Sequence, residues 1–125
     1  MTRETIAAAI EEVGTLLGVL GENDFRSRAY ANAARAVETL DGDLGALAAA
    51  GKLAGVRGLG GGMVEKVIEL LTTGNLAYLD ELRGRVPLGV RDLLRVNGVG
   101  PKKVKALWDA GIDSLPALQA ACEAN

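Results

Sequence analysis

One five-residue pattern occurs twice in this chain of 125 residues. Val56-Arg57-Gly58-Leu59-Gly60 is echoed 40 residues later by Val96-Asn97-Gly98-Val99-Gly100, and each copy leads into an expected helix, at 61–73 and 101–110. Glycine has no Cβ, so it reaches positive φ and lets the backbone come close to another surface. The unpaired N–H groups that open the following helix, together with the helix dipole, then form an anion site. Two tight turns between helices with Gly as C-cap would use the same glycines for packing alone. The matched flanks of the two copies favour backbone binding. An apolar-Gly-apolar-Gly turn between helices marks a helix-hairpin-helix unit, and two in tandem suit two stretches of nucleic-acid backbone.

The remaining sequence is that of a small helical protein. Leu and Ala dominate and aromatic residues make up 3 % of the chain, so the core is aliphatic. No sustained alternation of β-branched residues signals a strand. A length of 125 residues suits one compact domain or two helical units sharing a core. The 17 glycines punctuate short helices, because no Gly/Ser tract is present. The apolar stretch 13–20 is far too short to span a membrane. No basic segment followed by an apolar one marks a secretory signal. Cys122 has no second cysteine to pair with, so a reducing, intracellular setting is expected.

Several chemistries are excluded by absent residues. The chain has no histidine, which removes His-based metal sites, Ser-His triads and His general bases. One cysteine cannot build a thiolate metal site. The glycines at 58–62 lack the Lys-Ser/Thr that completes a phosphate loop. Asp41-Gly42-Asp43 reads as a helix stop and the next N-cap before it reads as a metal site.

Charge argues against a nucleic-acid role overall and for one locally. Fourteen Lys+Arg against 16 Asp+Glu gives −2, whereas DNA-binding domains are usually basic. Placement outweighs the total. Between Arg91 and Lys105 lie Arg91, Arg95, Lys102, Lys103 and Lys105 against Asp92 alone, a balance of +4 around the second hairpin. Arg26, Arg28 and Arg35 form a second group. Basic patches on an acidic body imply weak, salt-sensitive binding.

Periodicity and caps give the layout. Thr2 caps a first helix over 3–20, with one apolar stripe from Ile6 to Leu20. Asn23 or Asp24 caps a second helix to Leu40, with Phe25, Ala29, Ala33, Ala36, Val37 and Leu40 facing in and the three arginines off that stripe. Asp43 starts a short third helix that ends at Gly51. The first hairpin and its helix follow, stopped by Gly74, and Asn75 caps another helix to Arg83. Pro87 marks a boundary between 1–87 and 88–125. Beyond it come an apolar segment over 88–96, the second hairpin, a helix with Pro101 at its favoured first position, and a last helix capped by Ser114.

Four segments carry a resemblance. Phe25-Arg26-Ser27-Arg28-Ala29-Tyr30, Gly58-Leu59-Gly60-Gly61-Gly62-Met63-Val64-Glu65-Lys66, Leu71-Thr72-Thr73-Gly74-Asn75-Leu76 and Leu94-Arg95-Val96-Asn97-Gly98-Val99-Gly100-Pro101-Lys102-Lys103 resemble, in order and spacing, the N-terminal part of family X DNA polymerases of bacterial type. The resemblance implies an all-α fold of two tandem helix-hairpin-helix units: a lyase-type domain, then the start of a DNA-binding subdomain. It implies DNA as partner, as gapped or abasic duplex, a place in base excision repair, the cytoplasm of a bacterium at its nucleoid, and further domains of a longer polymerase. The polymerase acids of that family lie in a palm that this chain does not contain.

Residue by residue, the resemblance places Lys66 at the family's Schiff-base lysine, Tyr30 and Glu65 at residues lining that site, and Arg26 at a holder of the 5′-phosphate. The DNA-binding set is Arg26, Gly58, Gly60, Gly61, Gly98, Gly100, Lys102, Lys103 and Lys105. The family's hairpins also hold a monovalent cation, Na+ or K+. Here that cation falls to the backbone carbonyls of Ala54, Val56 and Leu59, and of Leu94, Val96 and Val99. Two family lysines are replaced, by Ala54 and Gly62, which weakens phosphate holding and removes positive neighbours of the nucleophile. Read from its helix alone, Lys66 would pair with Glu65 or Glu69. A non-catalytic DNA-binding scaffold and a helical protein-interaction module remain the alternative readings.

Overall fold

A computed structural model describes residues 2–60, 62–96 and 98–123. Gly61 and Asn97, one in or beside each hairpin, lie outside the described residues. The rest is helix and turn: α1 (Arg3–Val19), α2 (Asp24–Thr39), α3 (Leu44–Ala49), a 3₁₀ turn (Leu53–Gly55), α4 (Met63–Thr73), α5 (Ala77–Arg85), α6 (Leu88–Leu93), α7 (Pro101–Asp109) and α8 (Leu115–Glu123). The expected all-α fold of tandem helix-hairpin-helix units is what the chain adopts.

The central element is α1. Ile6, Ile10, Val13, Leu16 and Leu17 recur at three- and four-residue steps and are buried to within 1 %. The Thr2 hydroxyl accepts the Thr5 N–H at 3.2 Å and starts the helix. At the other end Gly21, at φ +78°, closes it, with the Glu22 N–H donating to the Leu17 carbonyl at 2.9 Å. A short connection then lays α2 back along α1, burying Tyr30, Ala33, Ala34 and Val37.

Two glycines set how closely α1 is approached. A Cβ on Gly14 would lie 2.8 Å from the Ser27 carbonyl oxygen and 3.1 Å from the Tyr30 Cβ. The Ser27 hydroxyl donates to the Gly14 carbonyl at 3.1 Å across the same contact. One turn on, a Cβ on Gly18 would lie 2.9 Å from the Pro101 Cβ, the first residue of α7. The second hairpin is therefore seated on the same helix as α2. One apolar cluster runs from α1 and α2 through Leu53, Leu59, Val67, Leu70, Leu79 and Leu82 to Val90, Leu93 and Val104.

Three expectations need correction. Phe25 does not face in; it is 78 % exposed. At 100° per residue it stands about 140° from Tyr30, off the buried face of α2. Asn75 does not cap α5, which begins at Ala77 because Leu76 is drawn into the core in an extended conformation. The Glu69 carboxylate of α4 accepts the Ala77 N–H at 2.7 Å instead, and the Asn75 amide donates to Asp80 at 2.7 Å. The helix after the first hairpin begins at Met63, not at residue 61. Asp43 and Ser114 cap α3 and α8 as expected, accepting the Gly45 and Ala117 N–H at 2.9 and 3.1 Å.

These close approaches can be tested through stability. Gly14→Val overpacks the α1–α2 contact and should cost roughly 1–3 kcal/mol. Gly84→Ala, inside α5 with nothing within 4 Å of the added Cβ, should stabilise by about 0.5–1 kcal/mol. Thermal melts followed by circular dichroism should move in opposite directions for the two variants.

Candidate nucleic-acid interface

The two hairpins share one hydrogen-bond pattern. In the first, the Val56 N–H donates to Leu53 at 3.0 Å and the Leu59 N–H to Val56 at 3.1 Å. In the second, Val96 donates to Leu93 at 3.2 Å and Val99 to Val96 at 3.1 Å. The first glycine of each pair has positive φ, +98° at Gly58 and +81° at Gly98. That conformation needs glycine whatever surrounds it. The second glycine of each pair is different. Gly60 and Gly100 do not have positive φ, and a Cβ added to either would meet nothing within 4 Å. No requirement of the fold accounts for glycine there; what the missing Cβ leaves clear is the approach from outside. Gly100 is also the N-cap of α7, so the free N–H groups of Lys102 and Lys103 follow it directly.

The basic residues around the second hairpin divide. Lys102, its side chain 83 % exposed, reaches Asp24 of α2 at 3.3 Å, and Lys103 donates to the Gly98 carbonyl at 3.2 Å. Both flank the turn. Lys105 does not: it pairs with Asp109 at 2.6 Å and lies against Gly21 at the end of α1. Arg91 turns back to donate to the Val86 carbonyl at 3.0 Å. The expected ring of cations is thus narrower, because one helix cannot aim residues 102, 103 and 105 the same way. A groove of ≈ 620 Å³ opens beside the turn, floored by Gly14 and Gly18, with Arg28, Lys102 and Lys103 contributing its cations and Asp24 an anion.

A second cluster forms where α2, α4 and α5 meet. Lys66 is half-buried, and its Nζ lies 5.7 Å from the centroid of the Tyr30 ring and 5.5 Å from that of Tyr78. The two rings are 6.4 Å apart and tilted by 31°. Aromatic faces attract a cation at these distances. Arg26 donates to the Tyr78 hydroxyl at 3.1 Å. That phenol holds the Arg26 guanidinium above its ordinary pKa, first through the charge its ionised form would carry and then, against a small desolvation, through the hydrogen bond. Like any guanidinium, Arg26 is a permanent cation. The helix-surface pairing of Lys66 with Glu69 is not adopted, since Glu69 is engaged with Ala77. Glu65 is exposed.

The structure therefore joins Arg26, Tyr30 and Lys66, three residues spread over two helices. It adds Tyr78, which sequence reasoning missed. The available signal was that the chain has only two tyrosines, and that Tyr78 follows the Leu76 that anchors α5 in the core.

The hairpin geometry agrees with comparison to known families. Residues 1–76 match the helix-hairpin-helix domain family. The chain belongs to that family. Residues 90–125 match a second model, described as a SAM-like helix-hairpin-helix tandem. Over 124 residues the chain is 28 % identical to the DNA polymerase/3′-5′ exonuclease PolX of Bacillus subtilis (strain 168), an alignment that covers 98 % of this chain and 21 % of that protein. The chain thus spans about a fifth of the relative's length. The resemblance to the N-terminal region of bacterial family X polymerases is borne out by this match, and together the matches support DNA binding in a polymerase-like context. Among the described residues, no helix is long and apolar enough to cross a membrane.

The two kinds of glycine can be separated by stability alone. Gly98→Ala forces a side chain into left-handed backbone and should destabilise by roughly 1–2 kcal/mol. Gly100→Ala should leave the melting temperature unchanged within a degree or so, because its Cβ enters open space.

Proposed function

We propose that this chain binds the DNA backbone without sequence preference, through both hairpins, as the gap-binding region of a longer family X polymerase. The observation that carries the reading is the shared hairpin geometry. Each hairpin repeats the same two turn hydrogen bonds and presents an open glycine ahead of a helix N-terminus. Backbone amides and a helix dipole hold a phosphate without reading a base. Lys102 and Lys103 add cations at the second hairpin. A monovalent cation, Na+ or K+, would be held by the carbonyls of Ala54, Val56 and Leu59 and of Leu94, Val96 and Val99, supplying a positive charge between hairpin and phosphate. The Val56 and Val96 carbonyls each accept one N–H and keep a second lone pair for it.

The cluster on α2, α4 and α5 is proposed as the site for a 5′ end. Arg26 holds the 5′-phosphate. Lys66 is the amine that attacks C1′ of an open-chain abasic sugar. Its nitrogen bonds to that carbon, and the carbonyl oxygen leaves as water, giving an imine. Loss of a C2′ proton then expels the 3′-phosphate with the C3′–O bonding pair, and water later hydrolyses the imine to free the lysine. Tyr30 forms one wall beside Lys66, and Glu65 precedes it on α4. A Cβ at Gly62 would stand 3.4 Å from the Lys66 Nζ, so a lysine placed there would start beside the nucleophile. The absence of a cation at that position predicts weak activity.

Salt and substitution test the binding. Log affinity for a gapped duplex should fall linearly with log salt, at a slope of about −0.9 for each phosphate contacted. Replacing Lys102 and Lys103 with Glu should weaken binding to all sequences alike. Salt-independent binding, or none at low salt, would favour a protein-interaction module.

Borohydride trapping on a 5′-abasic substrate tests the chemistry. Weak cross-linking is expected in the parent, abolished in Lys66→Ala with DNA binding retained, and stronger in Gly62→Lys. No cross-link in either the parent or Gly62→Lys would remove the lyase role and leave the DNA-binding one.

A further inference from the structure

We infer that Tyr78 is a positioning residue for the 5′-end site, holding Arg26 through its hydroxyl and Lys66 through its ring. The inference rests on the 5′-end reading of the Arg26–Lys66 cluster. It follows from how two like-charged side chains come to share one surface. Arg26 lies on α2 and Lys66 on α4, and among the described residues neither is held in an ion pair; Glu22 attracts Arg26 only from beyond ion-pair distance. Left to themselves, long cations separate and sample solvent. Tyr78 engages both at different atoms. Its hydroxyl accepts the Arg26 guanidinium at 3.1 Å, and its ring stands 5.5 Å from the Lys66 Nζ. Tyr30, 6.4 Å away ring to ring, supplies the second face for Lys66, while the hydrogen bond from Arg26 goes to Tyr78.

An uncharged tether suits an anion site. A carboxylate in the place of Tyr78 would hold both cations more tightly, yet would repel the phosphate they are there to receive. The phenol orients them without adding a negative charge of its own. Its own placement is secured from the core, because Leu76 and Leu79 on either side are buried to 1 % and 5 %.

Because the two contacts use different atoms, two variants separate them. Tyr78→Phe keeps the ring and removes the hydroxyl; Tyr78→Leu removes both. Each is compared with the parent for binding of a gapped duplex bearing a 5′-phosphate or a 5′-hydroxyl, and for borohydride trapping on a 5′-abasic substrate. In Tyr78→Phe the preference for the 5′-phosphate should drop roughly three- to tenfold, with trapping and melting temperature retained. In Tyr78→Leu both the preference and the trapping should be lost, while affinity for intact duplex persists through the hairpins. A Tyr78→Phe variant with the parent's full 5′-phosphate preference would overturn the role of Tyr78 and leave the 5′-end site standing. A parent that does not distinguish 5′-phosphate from 5′-hydroxyl would overturn the 5′-end reading, and the role of Tyr78 with it.

Discussion

Two glycines one turn apart on the central helix determine where both of the surfaces proposed to meet DNA lie. Gly14 brings α2 to within contact of the α1 backbone, and Gly18 does the same for Pro101 at the head of α7. Glycine inside a helix is unfavourable by roughly 1 kcal/mol relative to alanine, and here two are accepted four residues apart. The return is geometric. With α2 seated, Arg26 and Tyr30 face Lys66 and Tyr78 on one side, while Asp24 and Arg28 face the second hairpin on the other. With Pro101 seated, Gly100 and the amides of Lys102 and Lys103 are held at a fixed place beside that helix. A bulkier residue at either glycine would move a surface as a whole, not a single side chain.

This arrangement reconciles a net charge of −2 with a DNA partner. Backbone amides at helix starts attract phosphate whatever the formal charge of the domain. Some of the acidic residues make internal ties: Glu12 holds Arg83 of α5 through two short hydrogen bonds of 2.6 and 2.7 Å, Glu69 caps α5, and Asp43 caps α3. Asp24 instead holds Lys102 at the mouth of the second hairpin. A phosphate arriving there must compete with that carboxylate for the lysine. At physiological salt the Debye length of about 8 Å screens the more distant acids, so the local groups decide the attraction.

What the sequence showed and what it concealed divide along the range of the interactions. The doubled glycine turn, the caps at Thr2, Asp43 and Ser114, and the stripe of α1 are local patterns, and each appears in the structure at or beside its expected place. The family resemblance brought Arg26, Tyr30 and Lys66 to one site although α2 and α4 are distant in sequence. Tyr78 stayed hidden because its partner Arg26 is 52 residues away and no local period announces it. The Gly14–Gly18 pair stayed hidden for the same reason, as its meaning depends on Ser27 and Pro101. Phe25 was misplaced because a stripe read by residue type extends to any apolar neighbour, whereas burial follows helix angle. Lys105 and Arg91 were grouped with the hairpin by sequence proximity, and each found a nearer acceptor.

That the two hairpins both touch DNA backbone is most directly tested by backbone amide chemical shifts of the labelled chain during titration with a gapped duplex at low salt. The amides of Gly60, Gly62 and Met63 and those of Gly100, Lys102 and Lys103 should move together and first. The other positive-φ turns, at Gly21, Gly42, Gly51, Gly74 and Gly111, should stay still because they are ordinary helix connections. Shifts spread over those turns, or confined to one hairpin while the other is silent, would contradict a tandem backbone-binding device.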